Sequence, residues 1–367
     1  MPADPRRPAW AEVDLAAIAH NVSELRRVST PAAVWAVVKA NGYGHGSVEV
    51  ARAALEAGAE GLCVALVGEA AELRAEGIDA PILLLSEPPL ESVAETVALG
   101  VRLTVYRPMT ARAIAEAGGG RLHVKVDTGM HRVGVAPHDL AALLTEIDTL
   151  PGLQLEGLWT HFAMADAPDD PFTAEQISVF DAAARDVVVP LVHLANSAAA
   201  LTVPNAHRSL VRCGIAVYGI APSAAIARRA SVDLRPALSL KARVSMLQRL
   251  EEASRVSYGR RRLLPAGTVV ATVPIGYGDG VARRWFDVGG EVLIGGRRRA
   301  LAGVVTMDQL LVDCGDDQTV AVDDEVVLIG KQGEDEISAM EWAERLGTIA
   351  YEITCAISAR VPRVYLR

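Results

Sequence analysis

The chain has 367 residues, 51% of them hydrophobic and 22% charged, which suits two domains with sizeable cores. A net charge of −9 excludes a polybasic nucleic-acid or membrane-surface partner, and no apolar run reaches the ~20 residues of a membrane span. The four cysteines show neither metal-ligand nor redox-pair spacing, and the N-terminus lacks a secretory apolar segment, so a reduced, cytoplasmic protein without a metal is expected.

In chain order, Ala9 to Leu15 is strand-like, and Asp14 is placed to cap a helix with Ile18, Val22 and Leu25 on one face. The next apolar run, 34–38, is short and β-branched like a buried strand, and it ends on Lys39. Gly42, Gly44 and Gly46 follow at alternate positions, where they permit positive φ and close approach of a ligand. The lysine precedes the glycines, whereas the lysine of a phosphate-binding P-loop follows them. Further strand-like runs lie at 61–66, 82–85, 101–105, 122–126, 153–160, 191–194 and 209–213. Helical patterns lie between them, one with Thr173 and Gln176 as a capping-box start. Eight strands alternating with helices predict a (β/α)8 barrel; an open doubly wound sheet is the alternative, but no dinucleotide fingerprint appears.

Near residue 230 the rhythm changes. Strand-like stretches at 238–247, 268–273, 288–294, 300–306, 309–313, 325–330 and 351–366 predict a mostly antiparallel β domain. One helix interrupts it at 338–346, capped by Ser338 and Glu341 and ended by Gly347. The expected domains are 10–230 for the barrel and 231–367 for the β domain, with residues 1–14 packing near the latter. Cys63, Cys213 and Cys355 are expected in the core, and the arginine triplets at 260–262 and 297–299 mostly at the surface.

Barrels of this type do chemistry at the C-terminal ends of their strands. Those ends carry Lys39; then His123, Lys125 and Asp127 with Arg132 beyond; then Thr160 and His161; then His193, Asn196 and Ser197; then Arg212, Gly214 and Ile215. Each charged group is costly to bury unless paired or used. Two chemistries fit. A metal hydrolase would use the histidines, but no His-x-His pair occurs and Asp127 is the lone strand-end carboxylate. An aldehyde cofactor held by Lys39 needs an amine, a phosphate cradle and a partner for a ring nitrogen. Lys39, the turns at Ser197 and at 214–215, and Arg212 supply all three.

The run Ala36-Val37-Val38-Lys39-Ala40-Asn41-Gly42-Tyr43-Gly44-His45-Gly46 resembles the pyridoxal-phosphate signature of bacterial alanine racemases. Similar motifs follow in the family's order. They include 125–132, Thr160-His161-Phe162-Ala163, Ala195-Asn196-Ser197, 212–215, Ser257-Tyr258-Gly259, 274–280, Met307-Asp308-Gln309, and Tyr351-Glu352 with 360–363. The resemblance implies an isomerase that interconverts L- and D-alanine by two bases, for peptidoglycan precursor supply, as a homodimer with shared sites. It implies pyridoxal 5'-phosphate held by Lys39, with Lys39 as the base on the D side and Tyr258 of the partner subunit as the base on the L side. Tyr43, Ser197, Gly214, Ile215 and Tyr351 would hold the phosphate. Arg212 would face the pyridine nitrogen, and with His161 it would help lower the pKa of Tyr258. Arg132 and the backbone N–H of Met307 would bind the substrate carboxylate, Asp308 would order the Met307 loop, and Tyr277 would line the entrance. Lys125 matches a position often N-carboxylated in the family, where it would orient Arg132. The β domain argues against a barrel-only cofactor carrier. The absence of a C-terminal cysteine motif argues against a basic amino acid decarboxylase. A broad-specificity or serine racemase stays open.

Overall fold

The computed structural model describes residues 8–367. It divides into two compact units, one spanning Ala16–Pro236 and the other joining the N-terminal residues through Leu15 to Ala237–Arg367. The first strand, β1 (Ala9–Asp14), is therefore a member of the second unit's sheet rather than of the barrel. Residues 1–7, part of the stretch expected near the β domain, lie outside the described residues.

The first unit is the expected barrel. Eight strands are β2 (Ala33–Val37), β3 (Gly61–Val64), β4 (Ile82–Leu84), β5 (Arg102–Val105), β6 (Gly120–Lys125), β7 (Leu153–Trp159), β8 (Leu191–His193) and β9 (Leu210–Cys213). They pair in parallel in the order β8-β7-β6-β5-β4-β3-β2-β9. Ser209 N donates to Val192 O and Arg212 N to Ala195 O, which joins the two ends of the sheet. The strands are apolar runs because a parallel sheet is covered on both faces. Val34, Leu62, Leu83, Val124 and Val211 are all buried.

The second unit is all but antiparallel. In chain order its other strands are β10 (Leu238–Arg243), β11 (Met246–Arg249), β12 (Ser254–Arg255), β13 (Leu263–Leu264), β14 (Val269–Val273), β15 (Glu291–Ile294), β16 (Arg297–Ala300), β17 (Leu310–Asp313), β18 (Glu325–Gln332), β19 (Asp335–Ile337) and β20 (Arg363–Leu366). One sheet runs β16-β15-β18-β10-β1-β20 with β19 beside β18, and a second runs β11-β14-β17. Among the described residues of this unit, only β1 and β20 pair in parallel. The helix Ala339–Leu346 starts at Ser338, whose hydroxyl accepts from Glu341 N, and stops at Gly347 with φ 71°. It buries Trp342, which stacks on Trp285 at 4.5 Å.

Four local expectations are corrected. Residues 351–355 form a helix, Ala350–Cys355, and only Arg363–Leu366 of that stretch is a strand. Cys355 is exposed, while Cys314 is buried. Arg299 is buried and bonded to Asp317, and Arg298 is bracketed by Glu291, Asp335 and Glu341, so this triplet is no solvated patch. Thr173 makes no capping box: its hydroxyl has no partner, and the helix starts at Phe172. Gln176 instead accepts from Ala163 N and donates to Thr128 Oγ1 and His161 O.

Candidate active site

The β2 strand ends at Val37, and Lys39 opens a turn with an unusual backbone. Ala40, Asn41, Gly42 and Tyr43 all have φ between 52° and 59°, a left-handed turn in which three residues are not glycine. Each such residue costs about 1–2 kcal/mol, so neighbours must hold it. Ala40 N donates to Glu69 Oε1 at 2.7 Å, Ser47 N to Asn41 Oδ1 at 3.1 Å, and Gly46 N to Asn41 O at 2.8 Å. Tyr218 donates its hydroxyl to Val37 O at 2.9 Å and packs its ring against Tyr43 and His45. Glu69 was invisible as a site-builder in sequence, because it looks there like an ordinary helix carboxylate, while Tyr218 stood with Gly219 among the family-like motifs but with no role attached.

The turn delivers Tyr43 to a small polar cradle. A Cβ on Gly214 would lie 2.5 Å from the Tyr43 hydroxyl, so only glycine leaves room there. Gly214 N donates to Ser197 Oγ at 2.8 Å, and Ala216 N lies 3.4 Å from the same oxygen. Ser197 opens the helix Ser197–Thr202, where Asn196 caps Ala199 N, and Ile215 opens the short turn Ile215–Tyr218. Hydroxyls and amides converging on one point suit a phosphate. Tyr43, Ser197 and Gly214 thus meet, with Ile215 next in the chain.

Arg212 is 3% exposed, at the end of β9. Its Nη1 donates to His193 Nδ1 at 2.7 Å and His193 O at 3.0 Å. Its Nη2 reaches Thr160 O at 2.8 Å, Leu194 O at 3.1 Å and His161 Nδ1 at 3.4 Å. Among the described residues only its Nε–H is left unengaged. Burial brings its pKa down to about 10. Burial, then the Arg212 charge, holds His161 and His193 well below the ordinary histidine range, so both are neutral acceptors for the guanidinium.

Lys125 lies buried at the end of β6, with Nζ 4.8 Å from the Trp159 ring centre. Burial, then the charges of Arg132 and Arg212, bring its amine down to about 7. Arg132 is exposed, on a loop that Asp127 shapes by accepting from Gly129 N and His131 N.

The second unit presents the remaining candidates on turns. Tyr258 is 71% exposed, between Ser257 at φ 61° and Gly259 at φ 72°. Ser257 Oγ donates to Val304 O at 2.8 Å, and Gly303 leaves the space this needs, since a Cβ there would come within 2.5 Å of the Ser257 side chain. Met307 is 53% exposed and Tyr277 42%. Tyr277 N and Gly278 N donate to Thr306 O and Met307 O, and Arg360 binds Asp308 at 2.6 Å while reaching Asp279 at 3.4 Å. Arg360 is therefore the clamp of the Met307 loop, a role its motif position did not disclose. Tyr351 is half-buried on the helix Ala350–Cys355.

Known proteins share this architecture along the whole chain. The family description "Alanine racemase, N-terminal domain" matches residues 13–222, and "Alanine racemase, C-terminal domain" matches 237–365. An alanine racemase of Symbiobacterium thermophilum is 44% identical, covering 100% of this chain and 99% of that protein, and one of Methanococcus maripaludis is 41% identical over 98% and 99%. The crystal structure of alanine racemase from Bacillus anthracis with bound L-Ala-P superposes with a TM-score of 0.93 at 38% identity, over 100% of this chain and 96% of that one. That of the D-cycloserine producer Streptomyces lavendulae gives 0.90 at 38%, over 99% and 98%. By full-length identity and by fold, the chain belongs to the alanine racemase family.

Proposed function

We propose that the chain interconverts L- and D-alanine with pyridoxal 5'-phosphate, as a cytoplasmic homodimer that supplies D-alanine for peptidoglycan precursors. The observation that carries this is the cradle of Tyr43, Ser197 and Gly214, formed on the same barrel strand ends that bear Lys39 and Arg212. When bound, the cofactor supplies the electron sink that makes the substrate α-proton removable.

The chain's own residues do the rest. Tyr43, Ser197, the 214–215 amides and Tyr351 bind the phosphate. Lys39 anchors the cofactor covalently and moves the α-proton on one face, and Tyr258 of the partner subunit moves it on the other. Two opposed bases are needed because a single base returns the proton to the face it left. Arg212, with its Nε–H free, would face the ring nitrogen and, keeping its own proton, would leave that nitrogen unprotonated, with His161 beside the guanidinium. Arg132 and the Met307 N–H orient the carboxylate, with Asp308 ordering the Met307 loop, and Tyr277 narrows the entrance. The high exposure of Tyr258, Met307 and Tyr277 suits side chains that a second subunit covers. Lys125, with an amine brought down to about 7, is largely neutral in mildly alkaline solution, the form that adds carbon dioxide. As N6-carboxylysine it would hold Arg132.

Purified protein loaded with pyridoxal phosphate is expected to racemise L-alanine and D-alanine, with L-serine much slower; faster serine turnover would assign a serine racemase. Lys39→Ala is expected to remove the visible cofactor absorbance and lower turnover about 10⁴-fold, and an unchanged band would refute the anchor.

A further inference from the structure

Behind Arg212 the barrel holds two histidines that the reading above leaves without a task. His193 and His123 are fully buried, and with Glu156 they form a line. Arg212 Nη1 is 2.7 Å from His193 Nδ1, His193 Nε2 is 2.8 Å from His123 Nδ1, and His123 Nε2 is 3.0 Å from Glu156 Oε2.

The ends of this line are chemically one-sided. A guanidinium only donates, and an ionised carboxylate only accepts. Arg212 therefore makes His193 Nδ1 an acceptor, which places the His193 proton on Nε2, toward His123. His123 Nδ1 is then an acceptor too, and its proton lies on Nε2, toward Glu156. A doubly protonated His123 would donate to His193 Nε2 while Arg212 donates to Nδ1, leaving His193 with no proton at all. A doubly protonated His193 would set one N–H against another. Burial also pushes both imidazoles toward the neutral form.

The space for this line is shaped by small residues on neighbouring strands. A Cβ on Gly157 would lie 2.4 Å from His123 Nδ1, and one on Gly61 would lie 2.6 Å from the Trp35 ring. Trp35 stands 6.1 Å from the His123 ring, and Trp159 stacks on His193 at 5.5 Å and 12°. Arg102 at 3.1 Å and Arg121 at 3.5 Å hold Glu156 at the far end. Among the described residues, the other charged and titratable groups facing the line include Lys125, over Trp159, His161, beside Arg212, and the buried thiols of Cys63 and Cys213, which burial keeps protonated.

We propose that His193, His123 and Glu156 form a one-way hydrogen-bond relay that positions Arg212. Both imidazoles are fixed as neutral Nε2–H tautomers, so Nη1 always meets an acceptor and Nε–H stays available to the cofactor ring nitrogen. This rests on the proposed function for Arg212. His123 and Glu156 are positioning residues that touch neither substrate nor cofactor.

The test uses full-length protein labelled with [¹⁵N]histidine, with and without pyridoxal phosphate, in long-range ¹H–¹⁵N correlation spectra at neutral to mildly alkaline pH. Wild type is expected to show the buried His123 and His193 as neutral Nε2–H imidazoles, assigned by the signals that His123→Phe and His193→Asn remove. His45, whose Nδ1 faces Tyr43 O at 3.0 Å, gives an Nδ1–H signal of its own. His123→Phe keeps a ring but cuts the line. It leaves the His193 Nε2–H without an acceptor, and is expected to let that ring turn out of line with Arg212 Nη1, shifting its nitrogen resonances, and to lower both kcat and cofactor retention on dialysis about tenfold, with KM for alanine within about twofold. Glu156→Gln still offers an acceptor oxygen and is expected to keep both tautomers and kcat within about threefold. Should His123→Phe not fold, Glu156→Ala at the half-exposed end is read by the same three measurements. An Nδ1–H or doubly protonated imidazole at His123 or His193 in wild type, or a cut line with wild-type kcat and cofactor retention, overturns the relay. Tautomers in cofactor-free protein do not depend on activity, so failure of wild type to racemise alanine would sink the functional reading alone.

Discussion

The two units hold their candidate site residues in opposite ways. In the barrel, Lys125, Ser197 and Arg212 are 3–4% exposed, and Arg212 and Ser197 are bonded to strand ends and turns. In the β unit, Tyr258, Met307 and Tyr277 stand 42–71% exposed, and what is held is the backbone beneath them. The barrel half is built by its own folding core, so changing it tests stability and chemistry together. The β half offers side chains on clamped turns, so changing a side chain there tests chemistry alone.

The sharpest test of this contrast is Tyr258→Phe. Turnover should fall about 10³-fold, with α-proton exchange lost more from L-alanine than from D-alanine, while the melting temperature stays unchanged. Equal loss in both directions would count against two opposed bases, and a large fall in melting temperature would break the contrast itself. Arg212→Leu should do the reverse in stability. It strips donors from Thr160 O, Leu194 O and His193, which costs about 3–5 kcal/mol in urea unfolding even without cofactor. A cost under 1 kcal/mol would show that the guanidinium is not integral to the barrel.

The smallest expected effect is in pH. All eight histidines lie between His20 and His207, so the β unit has none. His161 and His193 have folded-state values well below their unfolded ones. The unfolded chain therefore binds more protons as pH falls through about 6.5, and stability drops across that window. The Lys125 contribution has the same slope at higher pH: its amine takes up protons near 7 when folded but near 10.5 when unfolded, so stability rises with pH between those values. Urea midpoints measured from about pH 5 to about pH 9 should rise throughout, and His193→Asn should flatten the acid limb. A flat profile in wild type would mean these groups titrate normally.

Much of the molecule was legible because its signals are local. Buried parallel strands are largely apolar, so all eight announced themselves, and the 338–346 helix carried its own cap and stop. Lys39, Ser197 and Arg212 stood out because polar groups at the ends of apolar runs are costly without a use. What was misread depended on partners distant in sequence. Thr173 and Gln176 have capping-box spacing, yet Gln176 gains more by bridging Thr128 and the His161 carbonyl. Residues 351–355 looked strand-like, yet Ile353 and Thr354 bury as one face of a helix. Nothing in the sequence marked Glu69 or Glu156 for a role; the fold set one under a left-handed turn and the other at the end of two histidines.

The sequence by itself determined the eight barrel strands and the change from barrel to β unit, and it singled out candidate side chains, because periodicity, caps and glycine placement act within a few residues. Only the tertiary structure decided the left-handed turn after Val38, the cradle that Gly214 leaves open to Tyr43, and the direction of the line behind Arg212. Each of these is set by which donor meets which acceptor across strands, and sequence spacing does not encode that.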